Sequence, residues 1–150
     1  MTNDPMTPVV AVRCFSHLGI TVSNLDDAVA FYTQILGFRR LFEDVEDGWT
    51  RVGLGIGDIQ LELFSPWPGA TTDGRIDPFY PRDLGRPKIA LTVLDVEATY
   101  QRLTEAGITP LCPVLTTSKS RFFLIADPDR TPIQLHQFTD GQRRVTELFP

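Results

Sequence analysis

From Val12 to Val22 apolar and polar positions alternate along the chain. Cys14, Leu18, Ile20 and Val22 fall on one side of an extended segment, and Phe15, His17 and Thr21 on the other. At Ser23 the period changes. Leu25, Val29, Tyr32 and Leu36 recur at helical spacing, flanked by Ala28, Phe31 and Ile35. Ser23-Asn24-Leu25-Asp26 reads as a capping box that opens this helix, and Gly37 suits the left-handed position that closes it. Three short strands are predicted next, at Phe38–Glu43, Trp49–Leu54 and Asp58–Phe64, separated by turns at Asp47-Gly48 and Gly55-Ile56-Gly57.

The second half repeats this order. A strand at Lys88–Val93 leads to a helix capped by Asp95, which carries Val96, Tyr100 and Leu103 and ends at Gly107. Strands are predicted at Thr109–Leu115, Arg121–Ala126 and Pro132–Phe138, the last two joined by Asp127-Pro128-Asp129-Arg130. His17-Leu18-Gly19-Ile20-Thr21-Val22 matches Lys88-Ile89-Ala90-Leu91-Thr92-Val93, and Gln60-Leu61-Glu62-Leu63-Phe64 matches Gln134-Leu135-His136-Gln137-Phe138. An internal repeat of a βαβββ unit is the main organising signal. It predicts an α+β fold of two modules, 12–65 and 88–138, whose sheets, facing each other, would form a cleft lined by their first and last strands. Residues 1–11 read as a disordered arm. Residues 66–87 are rich in proline and glycine and read as a linker or lid, whose Trp67, Phe79 and Tyr80 should pack on something. The tail, 139–150, is polar except for Leu148-Phe149.

Composition narrows the classes. With 42% hydrophobic and 22% charged residues the chain is ordinary for a globular protein, and it holds no apolar run long enough to cross a membrane as a helix. A net charge of −5 without a clustered basic surface argues against a nucleic-acid partner. The first residues have neither the basic nor the apolar region of a secretory signal, so a cytoplasmic protein is expected. Cys14 and Cys112 have no CxxC spacing and are expected to be buried free thiols. The only histidines are His17 and His136, so a metal site must use one or both of them, or carboxylates and amides.

The segments HLGITVSNLDDAVAFYTQILGF (17–38), IQLELF (59–64), KIALTVLDVEATYQRLTEAGI (88–108) and FFLIADPDRTPIQL (122–135) carry a resemblance to a family. The chain resembles the vicinal oxygen chelate superfamily, which includes glyoxalase, extradiol dioxygenases, methylmalonyl-CoA epimerase and the bleomycin- and fosfomycin-resistance proteins. The resemblance covers roughly residues 12–138. It implies paired βαβββ modules around a pocket, a small-molecule ligand and a homodimer, with the pocket formed either within one chain or across the dimer. It also implies four pocket-facing positions that hold a divalent metal in metal-dependent members. Those positions read His17, Glu62, Lys88 and Gln134. The first two match the pattern. Lysine and glutamine stand where many members carry histidine and glutamate, and an ammonium offers no lone pair to a cation.

Three readings follow. In the first, no metal is used: Glu62 is a base, Lys88 and His17 are its acid or electrostatic partners, and the chemistry is of isomerase, lyase or cyclase type on an aromatic or carbonyl-bearing compound. In the second, the protein binds a drug or natural product without chemistry, as resistance proteins do. In the third, iron, manganese or zinc is held by a shifted triad of His17, Glu62 and His136, because Gln134 and His136 share a strand face, and the protein is an oxygenase. Further ligand contacts are expected from Gln134, His136, Trp49, Arg51, Tyr80, Arg121 and Phe123.

Overall fold

A computed structural model describes residues 15–66 and 87–148. The first module runs β1 (Leu18–Thr21), α1 (Leu25–Ala30), β2 (Arg39–Glu46), β3 (Trp49–Ile56) and β4 (Ile59–Phe64). The second runs β5 (Ile89–Thr92), α2 (Val96–Glu105), β6 (Leu115–Thr116), β7 (Ser120–Ala126) and β8 (Pro132–Phe138), followed by a short 3₁₀ turn at Val145–Leu148. Each module forms a four-stranded mixed sheet, ordered β1-β4-β3-β2 and β5-β8-β7-β6, in which the first and last strands pair in parallel. The repeat extends to register. Gly19 lies opposite Glu62 in one sheet, and Ala90 opposite Gln134 in the other.

Several local expectations need correction. Asn24, not the Ser23 box, caps α1, its side chain accepting from the Asp27 N–H at 2.9 Å. The helix then widens over Phe31–Ile35, where the Leu36 N–H reaches back to the Phe31 carbonyl. Gly37 closes it at φ 78°, as expected. The strand foreseen at 12–22 is observed only at Leu18–Thr21, with 12–14 outside the described residues. The one foreseen at Thr109–Leu115 shrinks to Leu115–Thr116, because Pro110 and Pro113 have no N–H to give a ladder. Cys112 is a half-buried free thiol rather than a buried one, and Cys14 lies outside the described residues. No helix among the described residues is long and apolar enough to cross a membrane.

Alternation along the strands sorts the side chains into two sets. Val52, Leu54, Leu61 and Leu63 of the first sheet join Ile89, Leu91, Phe123, Ile125, Ile133 and Leu135 of the second, and the helix residues Ala28, Phe31, Tyr32, Val96 and Leu103, in one apolar cluster. The helix sides of both sheets therefore share a single core. A polar clamp crosses it. The Tyr32 hydroxyl donates to Asp127 Oδ2 at 2.8 Å, and Asp127 Oδ1 accepts from the N–H groups of Asp129 and Thr131. The Asp129 carboxylate in turn accepts from the Ser23 N–H. Burial pushes the Asp127 carboxyl above its ordinary value, against the lowering effect of these donors, and pushes the Tyr32 phenol up strongly.

Tyr32→Phe leaves a buried carboxylate oxygen without its donor. It should cost about 1–3 kcal/mol, read as a lower urea midpoint with an unchanged slope.

Candidate functional site

The faces turned away from the shared core carry the chemistry. On the first sheet this inner face holds Gln60, Glu62 and Phe64 of β4, Trp49, Arg51 and Gly53 of β3, Phe42 and Asp44 of β2, and Gly19 and Thr21 of β1. Glu62 is only 7% exposed. Its two oxygens are divided between an imidazole and a guanidinium. Oε2 lies 3.3 Å from His17 Nε2, and Oε1 lies 3.4 Å from an Arg51 terminal nitrogen. Arg51 also pairs with Asp44, and its guanidinium sits 5.3 Å from the centre of the Phe42 ring. Hydrogen bonding to Asp44 raises the Arg51 guanidinium above its ordinary value. On the other flank, Ser16 Oγ contacts His17 Nδ1 at 2.8 Å.

Glycine makes this arrangement possible. A Cβ on Gly53 would stand 2.2 Å from Phe42 Cε1, so the Phe42 ring lies directly on the strand backbone. A Cβ on Gly19 would stand 3.0 Å from Phe64 Cε2. A bulge between Arg40 and Phe42 sets the phase that puts Phe42 opposite Gly53. Trp49 packs on Phe64 with ring centres 5.9 Å apart. The result is an aromatic floor around a buried, ion-paired carboxylate.

The inner face of the second sheet is built on the same plan with different chemistry. Lys88 Nζ donates to Gln134 Oε1 at 2.7 Å, in the place that His17 and Glu62 occupy in the first. His136, 9% exposed, contacts Thr92 Oγ1 through Nε2 at 2.9 Å, while that hydroxyl donates its one proton to the Arg143 carbonyl at 2.7 Å. Nε2 must therefore carry the imidazole proton. Burial first, and Lys88 second, hold His136 below its ordinary value. A cleft of about 1060 Å³ runs along the edge of β5 between α2 and residues 141–145; His136 lines it, and Glu62 does not.

The expected site residues thus divide. His17, Glu62, Trp49 and Arg51 come together. Lys88, Gln134 and His136 come together on the other sheet, so the expected Glu62–Lys88 pair is not formed; among the described residues Glu62 is paired with His17 and Arg51. Arg121 and Phe123 are corrected. Phe123 faces Leu135 across the ladder and packs edge-on against Tyr100 of α2, with ring centres 5.0 Å apart, and Arg121 pairs with Glu97. The inner-face residues of β7 are Phe122 and Leu124, opposite His136 and Gln134. The His136–Phe122 register would have identified them; the strand sequence alone does not. Asp44 and Phe42, which hold Arg51, were also missed, because the bulge hides their phase. Tyr80 lies outside the described residues.

A divalent metal is the group that this architecture invites, and the donor set does not fit one. Two of the four positions are an ammonium and the amide oxygen it occupies, and Arg51 stands against the carboxylate. Among the described residues no three His, Cys, Asp or Glu side chains form a cluster able to hold a metal, so the shifted triad of His17, Glu62 and His136 is not assembled.

Comparison with known proteins agrees with this architecture. Residues 15–135 match the family model of the Glyoxalase/Bleomycin resistance protein/Dioxygenase superfamily. The chain belongs to this superfamily. It is 30% identical over 131 residues to the uncharacterized protein YwkD of Bacillus subtilis, covering 84% of this chain and 98% of that one. The trypanothione-dependent glyoxalase I of Leishmania major superposes with a TM-score of 0.63 at 30% identity, over 84% of this chain and 87% of that one. TnmS3, an antibiotic binding protein from Streptomyces sp. CB03234, superposes with a TM-score of 0.68 at 22% identity, over 87% and 99%.

Two outcomes follow. Gly53→Ala should displace the Phe42 ring and destabilise the fold by about 1–3 kcal/mol in a thermal melt, and Phe42→Leu in the same background should recover part of that loss. By NMR, His136 should titrate below about 6.5, and Lys88→Met should raise its midpoint. Because the unfolded imidazole takes up its proton first, His136 should lower stability as pH falls through the unfolded value towards the folded one.

Proposed function

We propose that the protein is a small-molecule enzyme that moves a proton without a metal, in isomerase, lyase or cyclase chemistry on an aromatic or carbonyl-bearing compound. One observation carries this reading: Glu62 is a buried carboxylate on an aromatic floor, flanked by His17 and Arg51. Leaving such a charge in a passive pocket is costly unless the ligand uses it. In the proposed reaction Glu62 takes a proton from carbon beside a carbonyl. His17 and Arg51, already at the carboxylate, stabilise the negative charge that develops on the substrate oxygen. Trp49, Phe64 and Phe42 supply the apolar surface against which a planar substrate stacks.

A second reading, binding without chemistry, is favoured by the same aromatic floor. The superfamily relatives named above include both an enzyme and a binding protein, so likeness does not choose between them.

Hydrogen exchange separates the readings. The protein is incubated in D₂O with a panel of 2-oxo acids, hydroxyketones and aryl ketones, and loss of the signal beside the carbonyl is followed by NMR. Protein-dependent exchange is expected for at least one class. It should persist in EDTA and fall by about 10²–10⁴-fold in Glu62→Gln. Compounds that quench tryptophan fluorescence on binding yet never exchange would establish the passive binder. Exchange lost in EDTA and restored by iron, manganese or zinc would overturn the metal-free chemistry.

A further inference from the structure

We propose that the cleft along the edge of β5 is a second ligand site, which takes a small amphipathic carboxylate with an N–H between its apolar body and its charge, the chemistry of an N-acyl amino acid. The cleft encloses about 1060 Å³, room for a small molecule of that kind. Neither Glu62 nor Trp49 nor Arg51 lines it. β5 is an edge strand that pairs only with β8, and both modules contribute to the walls beside it. The apolar lining comes from Leu91 and Val93 on the β5 segment, Leu103 and Ala106 on the α2 segment, and Ile35 and Leu36 at the end of the first helix. Ile59, Leu94 and Val145 also line it, and each is a large apolar side chain left exposed, Leu94 at 98%. Exposed apolar surface gathered around one concavity marks a binding site, where single scattered side chains would not.

Charge selects the ligand. Asp58 is paired with Arg144, and Asp95 is turned to the start of α2, where it accepts from the Ala98 N–H at 3.0 Å. Glu147 accepts from the backbone N–H groups of Arg143 and Arg144. The acidic groups in and beside the cleft are thus taken. Arg102 Nε donates to the Ala98 carbonyl at 3.3 Å, and neither Arg102 nor Arg143 forms an ion pair among the described residues. Two guanidinium groups without carboxylates therefore line one cleft of a chain whose net charge is −5. A carboxylate is the anion whose two oxygens match the paired donors of a guanidinium. Gln142 adds a second requirement. Its side-chain oxygen is buried without a hydrogen-bond partner among the described residues, and Gln142 lines the cleft. A buried oxygen is costly to leave unmatched, and an N–H on the ligand supplies the donor. None of this depends on the chemistry proposed at Glu62.

The probe is N-decanoylglycine, titrated by calorimetry and by amide NMR. Saturable binding is expected, with the resonances of residues 91–106 and 141–145 moving and those of Trp49, Arg51 and Glu62 still. N-decanoylsarcosine lacks the N–H, and N-decanoylglycinamide lacks the charge. Each should bind about 10-fold or more weakly than the parent probe. Arg102→Gln and Arg143→Gln should each weaken the parent probe by about the same factor. Both side chains are exposed, so the variants should melt as the natural chain does. The three ligands read the same contacts without altering the protein at all. No saturation up to about 1 mM overturns the site. Shifts centred on Trp49, Arg51 and Glu62 also overturn it, because the probe then sits on the first sheet. Equal affinity for the three ligands, or unchanged affinity in both arginine variants, means apolar adsorption and overturns the recognition proposed.

Discussion

Burying the helix sides of two sheets in one apolar cluster determines where every other group in the molecule can point. Strand residues alternate, so each leucine or isoleucine committed to that cluster sends its neighbour to the opposite face. Glu62, Arg51 and Trp49 are on the inner face because Leu61, Leu63, Val52 and Leu54 are in the core. The same logic puts Lys88, Gln134 and His136 on a face that points elsewhere. The functional groups are thus placed by packing, and the Tyr32–Asp127 clamp adds orientation to a contact that is otherwise non-directional.

On the inner face of the first sheet, burial and charge are balanced locally. A carboxylate that is 7% exposed must be paired or it costs several kcal/mol. His17 and Arg51 meet that requirement, and Asp44 balances Arg51 in turn. Phe42 seats the guanidinium and is itself seated on Gly53, so a glycine in the middle of a strand is two contacts removed from the carboxylate. In the second sheet the equivalent pair is an ammonium and a neutral amide, and burial, with Lys88, holds the nearby imidazole below its ordinary value. Two copies of one structural unit thus carry different polar pairs at equivalent positions.

The repeat, the module order and the α+β class were legible in the sequence, because hydrophobic period and turn residues act locally. The nearness of His17 to Glu62 came from the family resemblance, and the parallel pairing of first and last strands produces it. The face assignments of Arg121 and Phe123 were not legible. Both readings of β7 place apolar residues on each side, and only the Leu124–Gln134 register decides between them. Phe42 and Asp44 were hidden by a bulge, which shifts the phase of a strand by one residue without marking the sequence. The Glu62–Lys88 pair was inferred by assuming that both modules turn their inner faces to one pocket. Nothing in the periodicity of either module fixes how the two are packed, because the helix side of each sheet has the same apolar pattern whichever partner it meets.

On the proposed reading, that freedom lets the architecture dispense with a metal and keep a site. The resemblance implies four metal donors, two from each sheet, and here the second sheet holds an ammonium and an amide at those positions. A lysine at that position repels a divalent ion and would attract an anionic group instead. Arg51 acts in the same sense from the first sheet, 3.4 Å from the carboxylate. In the proposed chemistry, fixed positive charge from side chains takes the role that an ion would have. The replacement asks more of the protein, because a side-chain cation must be supported by its own neighbours, as Arg51 is by Asp44 and Phe42 and Lys88 by Gln134. The residues that hold the cations in place are therefore as much part of the site as the carboxylate they face.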